Sequence, residues 1–339
     1  MGMITRKEVA ALAGVSVATV SNVLNKKGIV QPETQQRVFL AVEELGYVPN
    51  ETARSLSLGR SNHIGVALND LTNLYHMEVI SGIEQQASES GFHVTLCNID
   101  NDGGVPGKLE FLNGRRFDVL INFMTMTFSN KIQDMLIANG TELVNFPGEY
   151  SAQFCQESRE ALEECMALLQ KYGHTKVGYV STIDSMRWVN DTRGLVYLNN
   201  LKKYGFENNT EYVVFNSDYR ISSSHIGYEN GKKLFSAHPE ITAVFVSNDM
   251  AALGVLRALK ELGLRCPEDV SVIGYDGIEI GRLLTPSLTT IGCDNVAYGR
   301  EIAKQVIDSV VHKRDVRGAN YSFPMRMIEG ESVGPCRRG

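Results

Sequence analysis

The stretch TRKEVAALAGVSVATVSNVLN, from Thr5 to Asn25, leaves this part of the chain few ways to fold. Thr5 followed by Glu8 is a capping box, in which each side chain can bond the other residue's backbone N–H. Val9, Ala10, Leu12 and Ala13 then recur at helical spacing. Gly14 breaks that helix where only glycine turns without steric cost. Ser16 can cap a second helix, whose apolar members are Val17, Val20, Val23 and Leu24. Thr19, Ser21 and Asn22 lie among them and offer short polar side chains to the outside. Two small helices over a glycine turn form a helix-turn-helix, whose second helix fits a DNA major groove. The same pattern occurs in ordinary helical hairpins, so the residues after Asn25 have to decide. Pro32 suits the first turn of a third helix, with Gln31 a poorer cap than Ser or Thr. Val38, Ala41, Val42 and Leu45 share its apolar face, and Gly46 ends it.

Charge separates this head from the rest. The chain of 339 residues carries a net charge of −6, which looks wrong for a DNA binder. Residues 1–60 hold +2 and the remainder −8, so an acidic body follows a mildly basic head. Such a division suits a protein that meets phosphate at one end only. The length implies two or three domains, and the composition is that of a soluble globular protein. No apolar run reaches membrane-spanning length and the N-terminus has no signal-peptide core, so no membrane partner is expected. Cys97, Cys155, Cys165, Cys266, Cys293 and Cys336 are scattered without CxxC or Cys/His spacing. We therefore expect free thiols, a cytoplasmic location and no metal site.

From His63 onward short apolar runs alternate with amphipathic stretches. Ile64–Leu68, Val94–Cys97, Val119–Phe123 and Glu142–Phe146 read as one set of buried strands. Val177–Val180, Tyr212–Phe215, Ala243–Val246 and Val270–Gly274 read as a second. Helices such as Asn73–Ser90, Arg159–Tyr172 and Met250–Leu262 fall between them. The fold class is α/β: two doubly wound parallel-sheet lobes, with a ligand cleft at the strand C-termini. Neither GxGxxG nor GxxxxGK[ST] occurs, and there is no GxSxG or HExxH, so neither a nucleotide cofactor nor a catalytic residue is proposed.

The run GYVPNETARSLSLGRSNHIGVALND, Gly46 to Asp70, together with AGVSVATVSNVLN, closely resembles the lactose-repressor family of bacterial transcription regulators. The resemblance covers essentially the whole chain. It implies a headpiece over 1–49, a hinge over 50–60 and a periplasmic-binding-protein-like body over 61–339. The body divides into an N-subdomain (about 61–157 plus 291–318) and a C-subdomain (about 158–290 plus 319–339), with late crossovers near Cys293 and Asn320. By the same resemblance Thr5, Ser16, Val17, Ala18, Thr19, Ser21, Asn22 and Asn25 meet the operator, with Val17, Ala18 and Asn22 on base edges. Asn50, Ala53, Arg54 and Leu56 belong to a hinge helix formed on DNA, where Leu56 wedges into the minor groove. Without DNA, this short segment is a linker by its composition.

The resemblance also implies a small effector, a sugar or sugar phosphate above all, and a homodimer that reads a palindrome. Tyr75 and His76 stand where ring faces pack on the ligand, although a core role for Tyr75 is the competing reading. Tyr219, Asn248 and Asp276 complete the matched positions, with Asp276 as the hydroxyl-accepting carboxylate or else a turn residue. Asp249 is expected to cap the helix beginning there. One departure stands out: the family has Arg three residues before a glycine, here Gly194, and this chain has Asp191. Arg187 and Arg193 lie nearby, so either Arg187 takes over the anchoring, with Asp191 paired to Arg187 or Arg193, or the ligand brings a cation to Asp191. Trp188 either stacks on a sugar ring or packs helix against sheet. The competing functions are a transport-type solute-binding protein, which leaves residues 1–60 unexplained, a regulator controlled by a protein partner, and an enzyme with a regulatory head.

Overall fold

The computed structural model describes residues 4–24, 28, 30–47, 60–99, 116–124, 128–146, 148–216 and 222–336. Asn25, Asn50, Ala53, Arg54, Leu56 and Tyr219 lie outside these residues. The chain divides into two compact units, 1–61 and 62–339.

The first unit holds α1 (Arg6–Ala13), α2 (Val17–Leu24) and α3 (Pro32–Leu45). Thr5 N donates to Glu8 Oε2 at 2.6 Å and Thr5 Oγ1 to the same oxygen at 3.0 Å. Gly14 turns the chain at φ 63°, and Ser16 Oγ accepts from Thr19 N at 3.0 Å to start α2. A cap of that kind stabilises a short helix by about 1 kcal/mol. The core is Val9, Ala10, Ala13, Val20, Val23, Val38, Ala41 and Tyr47, all buried. Leu12 departs from the expectation: it is 46% exposed, because Val9, Ala10 and Ala13 already fill the face of α1 that meets its neighbours.

The second unit is two six-stranded sheets. One contains β1 (His63–Leu68), β2 (His93–Asn98), β3 (Val119–Asn122), β4 (Glu142–Val144), β5 (Ser151–Glu157) and β11 (Asn320–Pro324). The other contains β6 (Val177–Val180), β7 (Val213–Val214), β8 (Ala243–Val246), β9 (Ser271–Asp276), β10 (Thr289–Gly292) and β12 (Arg326–Ile328). Their orders correspond, β11-β5-β4-β3-β1-β2 and β12-β10-β9-β8-β6-β7. All pairings are parallel except β10 with β12. Among the helices, α4 (Leu74–Glu89), α5 (Asn130–Ala138) and α11 (Asn295–His312) belong to the first lobe. The second has α6 (Arg159–Lys171), α7 (Ser185–Trp188), α8 (Thr192–Asn200), α9 (Ser223–Ala237) and α10 (Asp249–Glu261).

The chain passes between the sheets after Glu157, Gly292 and Pro324. The last crossing corrects the sequence-based boundary at 318/319. Asn320–Pro324 pairs with Gln153–Glu157, so this segment belongs to the first lobe and the second resumes only at Met325. β5 is absent from the apolar runs of the sequence, because its outer half alternates between buried and exposed residues. Each lobe also brings two helices into backbone contact through a glycine. A Cβ on Gly299 of α11 would lie 1.9 Å from Val79 O, and one on Gly227 of α9 would lie 2.0 Å from Ala251 O. Any side chain there forces the helices apart.

Candidate functional site

On α2, Val20 and Val23 are buried while Val17, Ala18 and Asn22 are exposed. The three expected base readers therefore lie off the packed face of one helix. Ser16 is engaged in the cap, and its Oγ also lies 2.8 Å from Thr19 Oγ1.

The second unit has a cleft of about 440 Å³ between the C-terminal ends of the two sheets. Its first-lobe wall begins after β1 with Asn69, Asp70, Thr72 and Asn73, and continues with Tyr75, His76 and Phe123. Asn73 caps α4 by accepting from Tyr75 N at 3.1 Å, which fixes the direction of the next two side chains. Tyr75 donates its hydroxyl to Gln156 Oε1 at 2.8 Å. His76 stacks on Phe123, centroids 5.7 Å apart at 26°, and burial lowers its pKa, so the imidazole is neutral.

The second-lobe wall carries the charge. Asp276 ends β9, is buried, and adopts φ 113°, which a non-glycine residue holds at a cost of about 1–3 kcal/mol. Burial, then the neighbouring Asp249 carboxylate, push its pKa well above the ordinary carboxylate value. Asp249 is wholly buried: its Oδ1 accepts from Thr290 Oγ1 at 2.6 Å and its Oδ2 from Ile278 N at 2.9 Å. It thus ties α10 to the loop after Asp276 and is not the cap of its helix. Asn248 caps it instead, accepting from Ala251 N at 2.8 Å, with its amide nitrogen 3.4 Å from both Thr182 Oγ1 and Ser223 Oγ.

Arg193 reaches the same wall. Its Nε donates to Asp191 Oδ1 and its Nη2 to Asp191 Oδ2, both at 2.7 Å, in a bidentate pair. Nη1 donates to Ser247 O, and the guanidinium lies 4.9 Å from the Tyr275 ring centroid. Burial opposes ionisation of Asp191, but the Arg193 charge outweighs it and holds the pKa below the usual value. Asp191 also caps α8 through Arg193 N at 2.9 Å. The anion at the departing position is therefore a clamp for an arginine two residues on.

Three of the anticipated positions do not line the cleft. Arg187 pairs with Asp184 across one turn of α7, at 3.5 Å. Asp191 stands behind Arg193 rather than on the wall. Trp188 is only 3% exposed, packed against Tyr179 and Phe215 with centroids 5.2 Å away in each case, so its role is packing. Conversely, Asn69, Phe123, Thr182, Asn216 and Ser223 line the cleft without having been singled out by the sequence. The first four lie one or two residues beyond strand ends, which is the signal the sequence offers for them.

A helix-turn-helix in one chain with a two-lobed cleft defines a ligand-controlled DNA-binding protein. The profile of the bacterial regulatory proteins of the lacI family matches residues 5–50, and that of the periplasmic binding protein-like domain matches 166–333. The HTH-type transcriptional repressor PurR of Vibrio vulnificus is 33% identical over 325 residues, covering 92% of this chain and 93% of that protein. The lac repressor dimer bound to operator and the anti-inducer ONPF shares the fold, with a TM-score of 0.75 at 23% identity over 98% of this chain and 100% of that one. A LacI-family regulator from Enterococcus faecium with bound ribose has a TM-score of 0.71 at 25% identity, covering 81% of this chain and 100% of that one. The chain belongs to the lacI family. It is a ligand-responsive DNA-binding transcriptional repressor and not an enzyme.

Proposed function

We propose that this repressor acts in the cytoplasm as a homodimer on a near-palindromic operator, and that its effector is a neutral, hydroxyl-rich molecule, a sugar, bound in the cleft. The regulated genes are then those of a sugar-utilisation operon. The observation that carries this reading is the second-lobe wall. Asp276 makes no side-chain hydrogen bond among the described residues, and Asn248, Thr182 and Ser223 share the wall with it as short polar groups. A carboxyl of this kind can accept two adjacent hydroxyls in a desolvated site. Arg193 brings no surplus charge, because Asp191 neutralises it, and among the described residues Asp70, Asp276, the Tyr75 phenol and the neutral His76 are the other ionisable side chains on the cleft. Among the described residues that balance favours a neutral ligand over a sugar phosphate, which needs unpaired cations. Phe123 stacked on His76 gives an apolar face for a sugar ring. A purine base is the second ligand class, favoured by the same stacked pair.

On DNA, Asn22 prefers adenine N6/N7, with Val17 and Ala18 offering methyl contact beside it. Leu56 is the proposed minor-groove wedge. The test is a thermal-shift screen of neutral sugars, sugar phosphates, purines and amines on the full chain. A ligand at 100 times its Kd adds about 2.7 kcal/mol of stability. A hit among neutral sugars that is lost in Asp276→Ala supports the reading, while a hit confined to phosphates or purines overturns the ligand class.

A further inference from the structure

Glu78 stands one turn into α4, just beyond the cleft residues Tyr75 and His76. Its Oε1 leaves the first lobe and accepts from Glu279 N of the second at 2.9 Å. Its Oε2 accepts from Asn295 Nδ2, the first residue of α11, at 2.8 Å. The other hydrogen of that amide goes to Asp276 O at 3.0 Å. Asn295 is buried and follows the Gly292 crossing by three residues. Glu78 and Asn295 are held in register because α4 and α11 touch backbone to backbone, where Cβ atoms on Gly82 and Gly299 would lie 2.0 and 1.9 Å from carbonyl oxygens.

Two first-lobe side chains thus grip both ends of one second-lobe loop, 276–279. The middle of that loop is tied within its own lobe, Ile278 N to Asp249 Oδ2. We propose that Glu78 and Asn295 are positioning residues, a clasp by which the first lobe sets where Asp276 is presented to the effector. The consequence for the effector rests on Asp276 being its anchor; the clasp itself does not. Hydrogen bonds near 2.9 Å fail when their ends separate by about an ångström. Rotation of the lobes about the three crossings therefore loosens the loop, and Asp276 keeps a positive φ only while its surroundings over-determine it. Lobe orientation and presentation of the carboxylate change together.

Hydrogen exchange of the full chain without any ligand tests this, so failure of the clasp is distinct from failure of the ligand assignment. Glu78→Ala and Asn295→Ala should each raise exchange of the amides in 277–283 about ten-fold, with residues 243–261 unchanged. Glu78→Gln, which keeps the length but offers one acceptor, should give a smaller rise. Pairing it with Asn295→Asp reverses the donor and acceptor and should recover protection at Glu279. Wild-type exchange over 277–283 in the alanine variants, or a rise spread equally over both lobes, would overturn the proposal.

Discussion

The two walls of the cleft are built on sheets of corresponding order, yet they divide the chemistry between them. The first lobe presents rings, Tyr75 and His76 on the helix that Asn73 caps and Phe123 after β3. The second presents Asp276 and Arg193, each set by a second carboxylate, Asp249 through the following loop and Asp191 directly. Both lobes use a glycine to bring two helices into contact, so the scaffold is shared and only the strand ends differ. A duplicated fold need not give a symmetric site. One wall supplies area, and the other supplies direction.

If direction resides in the second wall, Asp276→Ala should cost the most. We expect a loss of about 100-fold or more in affinity for any hit, since the desolvated hydrogen bonds to the buried carboxyl disappear. Calorimetric titration of that hit measures it. The next largest effect concerns stability. Burial pushes the Asp249 carboxyl up to about 7 from 3.8, against the hydrogen bonds it accepts. The folded state therefore keeps a proton that the unfolded chain has released, and stability falls as pH rises from about 4 to 7, by at most about 1.4 kcal/mol per unit. Asp249→Asn should reduce that slope in urea melts across this range and leave the part that Asp276, whose carboxyl is also raised, contributes.

Asp191→Ala should come third. It unpairs Arg193 in a largely buried setting and should lower stability by about 1–3 kcal/mol and ligand affinity about ten-fold. If Asp191→Ala exceeds Asp276→Ala in the titration, the Arg193 that Asp191 holds on the wall, and not Asp276, is the main anchor of the ligand. Phe123→Ala should be the mildest on affinity, about 0.5–1.5 kcal/mol, because it removes area and a stacking partner but no hydrogen bond. An effect as large as that of Asp276→Ala would mean that the ring wall, not the polar wall, selects the ligand.

The scaffold is largely legible in the sequence because burial writes it directly. Val177–Val180 and Ala243–Val246 are apolar or glycine at every position, as strands covered on both faces must be. β5 and β11 escape such a reading for the opposite reason: SAQFCQE and NYSFP mix polar with apolar residues, and β11 lies at the sheet edge. In the site, Asp276, Asn248, Tyr75 and His76 follow strands in recognisable runs and line the cleft as expected. The roles of Trp188, Arg187 and Asp191 are not legible. SMRWVNDTRG, preceded by Asp184, places two arginines and two aspartates within a few residues, and only side-chain direction decides which arginine faces the cleft and which anion holds it.

The decisive experiment is operator binding by the full chain, on a palindrome selected from random duplexes, titrated with the screening hit. Wild type should change its DNA affinity at least about ten-fold on saturation, a coupling of ordinary size. Asp276→Ala should bind the same duplex equally well without ligand and show no response to it. A variant that keeps the full response would refute the assignment, because the effector would then act from somewhere other than this cleft.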